Sequence, residues 1–396
     1  MQRDKYTRKK KIIFALMGIA LGLLIGLIVV EIGIRSFSQY GSLTPETLKK
    51  RSLQYEPSMF SRYSLPQREV TVRVNNPSSS QKPETAYYIN EKGYRGPNFT
   101  VEKPEGVVRI MFYGRSSVFD IWNQEDWPHR VECMLRQSGF PNAEVINAGV
   151  PGNASFDQVG RLFSEGHVFS PDYVVLYNAW NDIKYFRSRE PLLRNFKPYD
   201  DTSDPRTNYQ SFVDHFLSDR SRLYNALRRD YYRWKLDAAV EGQLPAGGYS
   251  SEISESALNQ YRLNIETFVD LARNIGAVPI LMTEARLVAK NNSDSQRARI
   301  NYDLVKLTHD ALYVAFARTD EIIYEVARAK QVDVIDTAQL MSGKDELFVD
   351  HVHLSAEGSE VVARTAAQHL ASLLNKDESM AKVASQLDYS GQKCSC

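Results

Sequence analysis

Short apolar runs alternate with longer amphipathic stretches along most of this chain. The apolar runs occupy residues 107–112, 144–147, 173–177, 278–282 and 332–335, and such runs are typical of buried parallel strands. Helical periodicity follows at residues 127–137, 156–163, 258–274, 300–329 and 356–374. Strands that alternate with helices predict a mainly parallel sheet covered on both faces, a three-layer α/β/α fold.

The longest apolar stretch is an uncharged run from Ile12 to Val30 near the N-terminus. It follows the basic residues Arg3, Lys5, Arg8, Lys9, Lys10 and Lys11. At about 1.5 Å per residue the run nearly crosses a hydrocarbon core of roughly 30 Å. A cleavable signal peptide is the alternative, but the run is long for a signal core and no small-x-small cleavage site follows it. We therefore expect a signal anchor at residues 12–34, with a cytoplasmic N-terminus and everything after Arg35 outside the cytoplasm.

Glycines recur every four residues along one face of this predicted membrane helix, at Gly18, Gly22 and Gly26. Small residues at this spacing allow helices to approach closely and predict a possible homodimer face. Glycine is also simply common in membrane helices.

Beyond the anchor, the remaining length suits one large domain or a domain with insertions. A formal net charge of +1 gives no case for nucleic-acid binding, and three cysteines are too few for a disulfide framework. Cys133 falls in an amphipathic helix and is expected in the core. Cys394 and Cys396 lie in a polar tail, where they could pair between chains, bind nothing or stay reduced. The predicted organisation is a cytoplasmic tail (1–11), the anchor (12–34), a connecting region (35–100), the α/β domain (101–375) and the tail (376–396).

A long insertion, residues 184–255, interrupts the alternation of strands and helices. It is rich in aromatic residues and also contains Arg220, Arg222, Arg228 and Arg229. One hypothesis is a cap that offers aromatic platforms to a sugar or an acyl chain. The alternative is a small helical subdomain whose aromatic residues form its own core.

Chemically useful residues follow several predicted strands, and in parallel sheets ligands bind at the carboxyl ends of strands. Ser116 follows the first strand, two glycines including Gly152 follow the second, and Asn181 follows the third. After the last strand comes Asp350, three residues before His353. A carboxylate so placed can fix the imidazole tautomer and leave the other ring nitrogen for a nucleophile. Each residue alone also fits an ordinary turn or helix cap.

These segments, in this order, resemble the SGNH (GDSL-type) hydrolases. Members carry a Gly-Asp-Ser block, a glycine block, a Gly-x-Asn-Asp block and Asp-x-x-His. The matching segments here are residues 114–116, 147–152, 179–182 and 350–353, and residues 90–96 resemble the lead-in of membrane-anchored bacterial members. Two positions depart from the pattern: Arg115 replaces the aspartate and Ala179 the glycine. The first departure puts the geometry of the loop in doubt.

The resemblance implies a flavodoxin-like sheet and a hydrolase that needs no cofactor. Ser116 would be the nucleophile, His353 the base and Asp350 its partner. The backbone N–H groups of Ser116 and Gly152 and the Asn181 amide would bind the oxyanion, where losing one donor typically costs about 100- to 1000-fold in turnover. His351 and His353 also form a His-x-His pair, but the other histidines are scattered, so a metal site is not expected.

Three classes of function remain open from the sequence. The first is an extracytoplasmic esterase that removes acyl or acetyl groups from a glycan or a lipid. The second is an O-acyltransferase that passes the acyl group to a surface polysaccharide by the same triad. The third is a catalytically weak glycan-binding assembly protein.

Overall fold

The computed structural model describes residues 2–37, 44–46, 56, 58–61, 64–73, 84–187, 205, 208–241 and 248–376. The chain divides into two compact units. Unit 1 comprises Met1–Ser52 and Asp201–Ala246, and unit 2 comprises Leu53–Asp200 and Gly247–Cys396. Most of the predicted insertion therefore groups with the N-terminal helix. The tail cysteines, Cys394 and Cys396, lie outside the described residues.

The described strands are β1 (Arg68–Arg73), β2 (Glu84–Ile89), β3 (Val108–Gly114), β4 (Ala143–Gly149), β5 (Tyr173–Tyr177), β6 (Val278–Met282) and β7 (Asp333–Ile335). The described α-helices are α1 (Gln2–Phe37), α2 (Ser116–Phe119), α3 (Trp127–Gln137), α4 (Ser155–Arg161), α5 (His167–Phe169), α6 (Trp180–Ile183), α7 (Phe212–Arg220), α8 (Arg222–Glu241), α9 (Glu255–Asn274), α10 (Asp294–Arg297), α11 (Tyr302–Val305), α12 (His309–Lys330), α13 (Thr337–Met341) and α14 (Ala356–Lys376). A π-helical turn spans Leu162–Gly166, and a 3₁₀ turn spans Asp345–Leu347.

Unit 2 is built on a five-stranded parallel sheet in the order β4-β3-β5-β6-β7. All residues of β3 and β5 are buried, as their continuous apolar runs require. Alternate residues point to opposite faces, so Met111 and Tyr113 join one core with α9 and α12. Ile110 and Phe112 join a second core with α3 and α14. The three-layer α/β/α prediction is confirmed.

A two-stranded antiparallel ribbon, β1 with β2, precedes the sheet. Val70 and Ile89 of the ribbon are fully buried and form a third cluster with Phe119 and Val150. Just after the ribbon, Arg95 is 2 % exposed and donates to the carbonyls of residues 119, 120, 123 and 124. This part of the predicted connecting region thus packs within unit 2. The domain boundary at residue 100 stays a prediction.

Unit 1 contains α1, in which residues Lys10–Phe37 are long and apolar enough to cross a membrane. A Cβ added at Gly18, Gly22 or Gly26 would meet no atom within 4 Å. These contacts within one chain do not test self-association, so the homodimer face stays a prediction. Near the end of α1, Glu31 accepts hydrogen bonds from Ser221 Oγ (2.8 Å) and from the first backbone N–H groups of α8 (2.9 and 2.8 Å).

Within the insertion, residues 212–220 and 222–241 form the helical pair α7 and α8. Asp214 and Arg228 are both buried and form a two-point ion pair, with N–O distances of 2.6 and 2.8 Å. Several aromatic side chains remain exposed, among them Phe212 (81 %) and Trp234 (66 %). The aromatic residues therefore do not all form a core of their own, and their role in substrate binding stays a hypothesis.

Candidate active site

The nucleophile candidate lies in a tight turn directly after β3. Ser116 begins α2 and is 8 % exposed. The turn is held from β4 by the Asn147 side chain, which donates to the Val118 carbonyl at 3.0 Å. Gly149 lies under it, because a Cβ at this position would come within 2.4 Å of the Phe119 nitrogen. Only glycine permits so close an approach of the two backbones.

Ser116, His353 and Asp350 form a continuous hydrogen-bonded chain. The distance from Ser116 Oγ to His353 Nε2 is 2.7 Å, and that from His353 Nδ1 to Asp350 Oδ2 is also 2.7 Å. Asp350 Oδ1 further accepts from the backbone N–H groups of Val352 (3.0 Å) and His353 (2.9 Å). With Nδ1–H donated to the carboxylate, Nε2 is left to accept the serine proton.

The electrostatics of this chain favour an ionised carboxylate at Asp350. Burial alone would raise the pKa of Asp350, but the imidazoles of His353 and His351 and the hydrogen bonds from His353 and Val352 hold the pKa well below its usual range. The indole of Trp122 packs edge-on to the His353 ring, with centroids 6.0 Å apart. The carboxylate and the ring contact together fix the imidazole in one orientation.

His351 occupies a different environment from His353. Its ring lies 4.1 Å, centroid to centroid, from that of Trp180, and the side chain is buried. Burial lowers the pKa of His351 to about 4, so the ring is neutral at physiological pH. Among the described ranges, no group of three or more His, Cys, Asp or Glu side chains is arranged to hold a metal ion.

The two further oxyanion-donor candidates lie at the ends of the strands that flank β3. Gly152 follows β4 with φ of +89°, a conformation that favours glycine. Asn181 is in α6, directly after β5, and its side-chain nitrogen donates to the Asn153 carbonyl at 2.8 Å. Because the sheet order is β4-β3-β5, the three loops that carry Gly152, Ser116 and Asn181 are neighbours.

Both residues that depart from the family pattern have negative φ, so neither backbone position requires glycine. Ala179 has φ of −154° and ψ of −52°, and its carbonyl accepts the N–H groups of Asp182 (2.9 Å) and Ile183 (3.1 Å). Arg115 is extended, with φ of −109° and ψ of −151°, and fully buried. Burial lowers the pKa of Arg115 to about 9, which leaves the guanidinium charged at neutral pH.

Glu284 is the residue of this site that the sequence reasoning missed. It lies two residues beyond the end of β6, is 1 % exposed and forms an ion pair with Arg115. It also accepts hydrogen bonds from Ser117 Oγ (3.1 Å) and from the Trp180 backbone N–H (2.7 Å). The available signal was its position, since a carboxylate just past a predicted strand belongs to the same edge of the sheet as Ser116.

Solved structures similar to this chain include several ester hydrolases. They are a lipase/acylhydrolase from Enterococcus faecalis (18% identity, TM-score 0.40, covering 67% of this chain and 95% of that one), a GDSL-like lipase from Bacteroides thetaiotaomicron (14%, 0.39, 69% and 93%) and a catalytic mutant of an acetylxylan esterase from Geobacillus stearothermophilus (14%, 0.40, 68% and 96%). No curated protein matches the chain.

The model of the GDSL-like lipase/acylhydrolase family matches residues 111–361, which is more than half of the 396 residues. The matched region includes the second half of β3, all of β4 to β7 and every residue of the hydrogen-bonded chain described above. The chain therefore belongs to the GDSL-like lipase/acylhydrolase family and is a hydrolase that acts on ester bonds.

Proposed function

We propose that this protein is an extracytoplasmic serine esterase that uses Ser116, His353 and Asp350. The observation that carries the proposal is the pair of 2.7 Å contacts that joins the three side chains. Ser116 and His353 lie 237 residues apart in the chain. A hydroxyl, an imidazole and a carboxylate in this order are the parts of a general-base-activated serine nucleophile.

The proposed reaction has two halves that use the same groups. In the first, His353 Nε2 takes the Ser116 proton while Oγ attacks the ester carbonyl carbon. The carbonyl oxygen becomes an oxyanion that accepts hydrogen bonds from Ser116 N–H, Gly152 N–H and the Asn181 amide. The alcohol then leaves with the proton from His353, and the acyl group stays on Ser116.

In the second half, a water or a sugar hydroxyl gives its proton to His353 and attacks the acyl carbon. Collapse of the second tetrahedral intermediate returns the proton to Ser116 Oγ. Water gives hydrolysis, and a sugar hydroxyl gives the acyltransferase that the sequence left as an alternative. We favour O-acyl or O-acetyl esters of an envelope glycan or lipid, because the proposed anchor places the site outside the cytoplasm.

A phosphonate label and an acyl-transfer assay distinguish the three candidate functions. We expect an organophosphonate serine probe to label the protein once, on Ser116, and acetylated glycans to lose acetate to water with or without a chelator present. Acyl transfer to an added glycan without release of free acid would favour the transferase. A folded protein that takes no label would favour the glycan-binding assembly protein and contradict the proposed triad.

The proposal also places α1 in the membrane as an uncleaved anchor. The contacts of Glu31 with Ser221 and the start of α8 support it. A carboxylate at a helix N-terminus satisfies N–H groups that otherwise lack partners. Removing α1 as a signal peptide would leave that end of α8 without these contacts. Residues 1–37 are therefore proposed to remain part of the mature, single-pass protein.

The anchor predicts that the mature protein keeps its N-terminus. We expect intact-mass measurement of the membrane-extracted protein to include residues 1–37, and alkaline carbonate to leave it in the membrane fraction. Protease added to spheroplasts should digest unit 2 and spare the basic tail. A soluble product whose mass begins after residue 30 would contradict the anchor and leave the esterase proposal untouched.

A further inference from the structure

A buried ion pair lies next to the nucleophile and connects three strand ends. Arg115 and Glu284 have fully buried side chains, and one guanidinium nitrogen contacts the Glu284 carboxylate. Glu284 is fixed in turn by Ser117 after β3 and by Trp180 after β5. An isolated charge would be costly to bury, so each of the two groups needs the other to remain ionised here.

The guanidinium also contacts the reacting atom. Arg115 Nη1 donates to Ser116 Oγ at 3.2 Å, while the same oxygen lies 2.7 Å from His353 Nε2. Ser116 Oγ therefore has a donor on one side and a proton acceptor on the other. The guanidinium occupies a lone pair of the oxygen and leaves the hydroxyl proton directed at His353.

We infer that Arg115 is a catalytic residue that stabilises the negative charge on Ser116 Oγ, with Glu284 as the positioning residue that holds its guanidinium. This inference rests on the proposed serine mechanism. When the proton moves from Oγ to His353 Nε2, charge develops on Oγ beside a fixed cation in a water-poor site, where such a contact is strong. The same donor assists when Oγ leaves the acyl group and regains its proton.

The charged groups around Arg115 and His353 determine how the proposed role of Arg115 can be measured. Besides Glu284, the charged or titratable groups that act on Arg115 are Tyr177, Asp350 and Asp182, and Arg115 in turn acts on His351. None of these side chains is removed when Arg115 or Glu284 is replaced, and His351, whose pKa Arg115 helps to lower, is the one of them whose own titration should also change. The acid limb of the activity profile is the pH range in which His353 must lose a proton. The direction in which this limb shifts therefore shows whether the positive charge of Arg115 or the negative charge of Glu284 has been removed.

The test compares Arg115→Gln and Glu284→Gln in the full-length protein. For Arg115→Gln we expect kcat to fall on the order of 10- to 100-fold, the size of one charge-assisted hydrogen bond, with KM changed by less than about threefold. The acid limb should move to higher pH, because the carboxylate left behind favours the imidazolium. For Glu284→Gln it should move to lower pH, because the unpaired guanidinium disfavours the imidazolium.

A matched control separates catalysis from stability. Arg109 is also fully buried and pairs with Glu144 at 2.5 Å, but it lies near the start of β3, whereas Arg115 follows the end of that strand. Arg109→Gln should lower the thermal unfolding midpoint while kcat and the acid limb stay as in the wild type. Arg115→Lys, which keeps the cation, should keep the acid limb near its wild-type position. If Arg115→Gln does not fold, Glu284→Gln carries the test.

Unchanged kcat and acid limb in a folded Arg115→Gln protein, with only the unfolding midpoint lowered, would reduce Arg115 to a structural role. Where Arg115→Gln does not fold, an acid limb that stays in place in Glu284→Gln would do the same. Equal shifts of the acid limb in Arg115→Gln and Glu284→Gln would overturn the electrostatic account. Failure of the serine mechanism has a different signature, since the wild type would then take no phosphonate label. If the wild type is labelled and Arg115→Gln is labelled at the same rate, the proposed role of Arg115 is contradicted. The serine mechanism itself is not contradicted by that result.

Discussion

Replacing Ser116 with alanine is expected to lower kcat/KM for ester cleavage on the order of 10⁴-fold or more while the protein still folds. The substitution removes the atom that lies 2.7 Å from His353 Nε2 and leaves no nucleophile for the acyl group. The backbone of the turn should persist, because Asn147 holds it through the Val118 carbonyl and not through the serine hydroxyl. The measurements are release of a chromogenic acyl ester, mass shift with the phosphonate probe, and the thermal unfolding midpoint.

Ser117→Ala is the matched control for this prediction. The Ser117 hydroxyl donates to Glu284 Oε1 at 3.1 Å and not to the imidazole, so its loss should leave activity within about tenfold of the wild type and the phosphonate label intact. If Ser116→Ala kept full activity and Ser117→Ala lost it, the nucleophile would be Ser117 and the proposed geometry would be wrong.

Strand positions were predictable because short apolar runs bounded by turn residues are typical of buried parallel strands. The sequence prediction for residues 173–177 and 278–282 coincides with β5 and β6, and that for 127–137 with α3. The long helical region predicted at 300–329 is instead two helices, α11 and α12. Lys306 adopts a positive φ of 52° between them, and Thr308 caps the second helix. Periodicity alone does not reveal such a break.

The Asp-x-x-His pattern alone does not distinguish a catalytic histidine from a structural one. It occurs twice, as Asp126–His129 and as Asp350–His353, and the local geometry is the same. Asp126 accepts the backbone N–H of His129 at 3.2 Å and lies 2.8 Å from its Nδ1. That pair caps α3 and its imidazole lies against Gly96, whereas the second imidazole meets Ser116. Only the fold, which brings distant strand ends together, distinguishes them.

Arg115 and Glu284 could not be paired from the sequence for a related reason. They are 169 positions apart in the printed sequence, and a family pattern with aspartate at position 115 gives no reason to look for a carboxylate partner. In the structure Arg115 has an extended backbone and a buried side chain directly before Ser116. The positive charge of Arg115 after β3 is thus paired with the negative charge of Glu284 after β6, two strands away in the sheet.

Asp350→Asn is expected to lower kcat on the order of 10⁴-fold, because the asparagine amide can donate to Nδ1 and would select the tautomer whose Nε2 already carries a proton. That imidazole cannot accept the Ser116 proton. The side-chain oxygen can still accept the N–H groups of Val352 and His353, so the loop should keep its conformation. The measurements are kcat between pH 5 and 9 and the unfolding midpoint between pH 3 and 8.

The stability of the same variant has a predicted pH dependence. Because the pKa of Asp350 is depressed in the folded protein, its ionised form stabilises the fold above about pH 4, the usual carboxyl range, and that contribution is lost as the pH falls. Asp350→Asn should therefore unfold at a lower temperature than the wild type at pH 7, and the difference should shrink in acid.

Asp126→Asn is the control, since it alters the other Asp-x-x-His pair. The pKa of Asp126 is about 2 because, although burial alone would raise it, His129 and Arg95 hold it down, so this variant should also lose stability at neutral pH. Its kcat per folded molecule should stay within a few-fold of the wild type, because no serine faces His129 at hydrogen-bonding distance among the described residues. If Asp350→Asn lost stability and kept its kcat, Asp350 would be only a loop cap, and the base would need another partner.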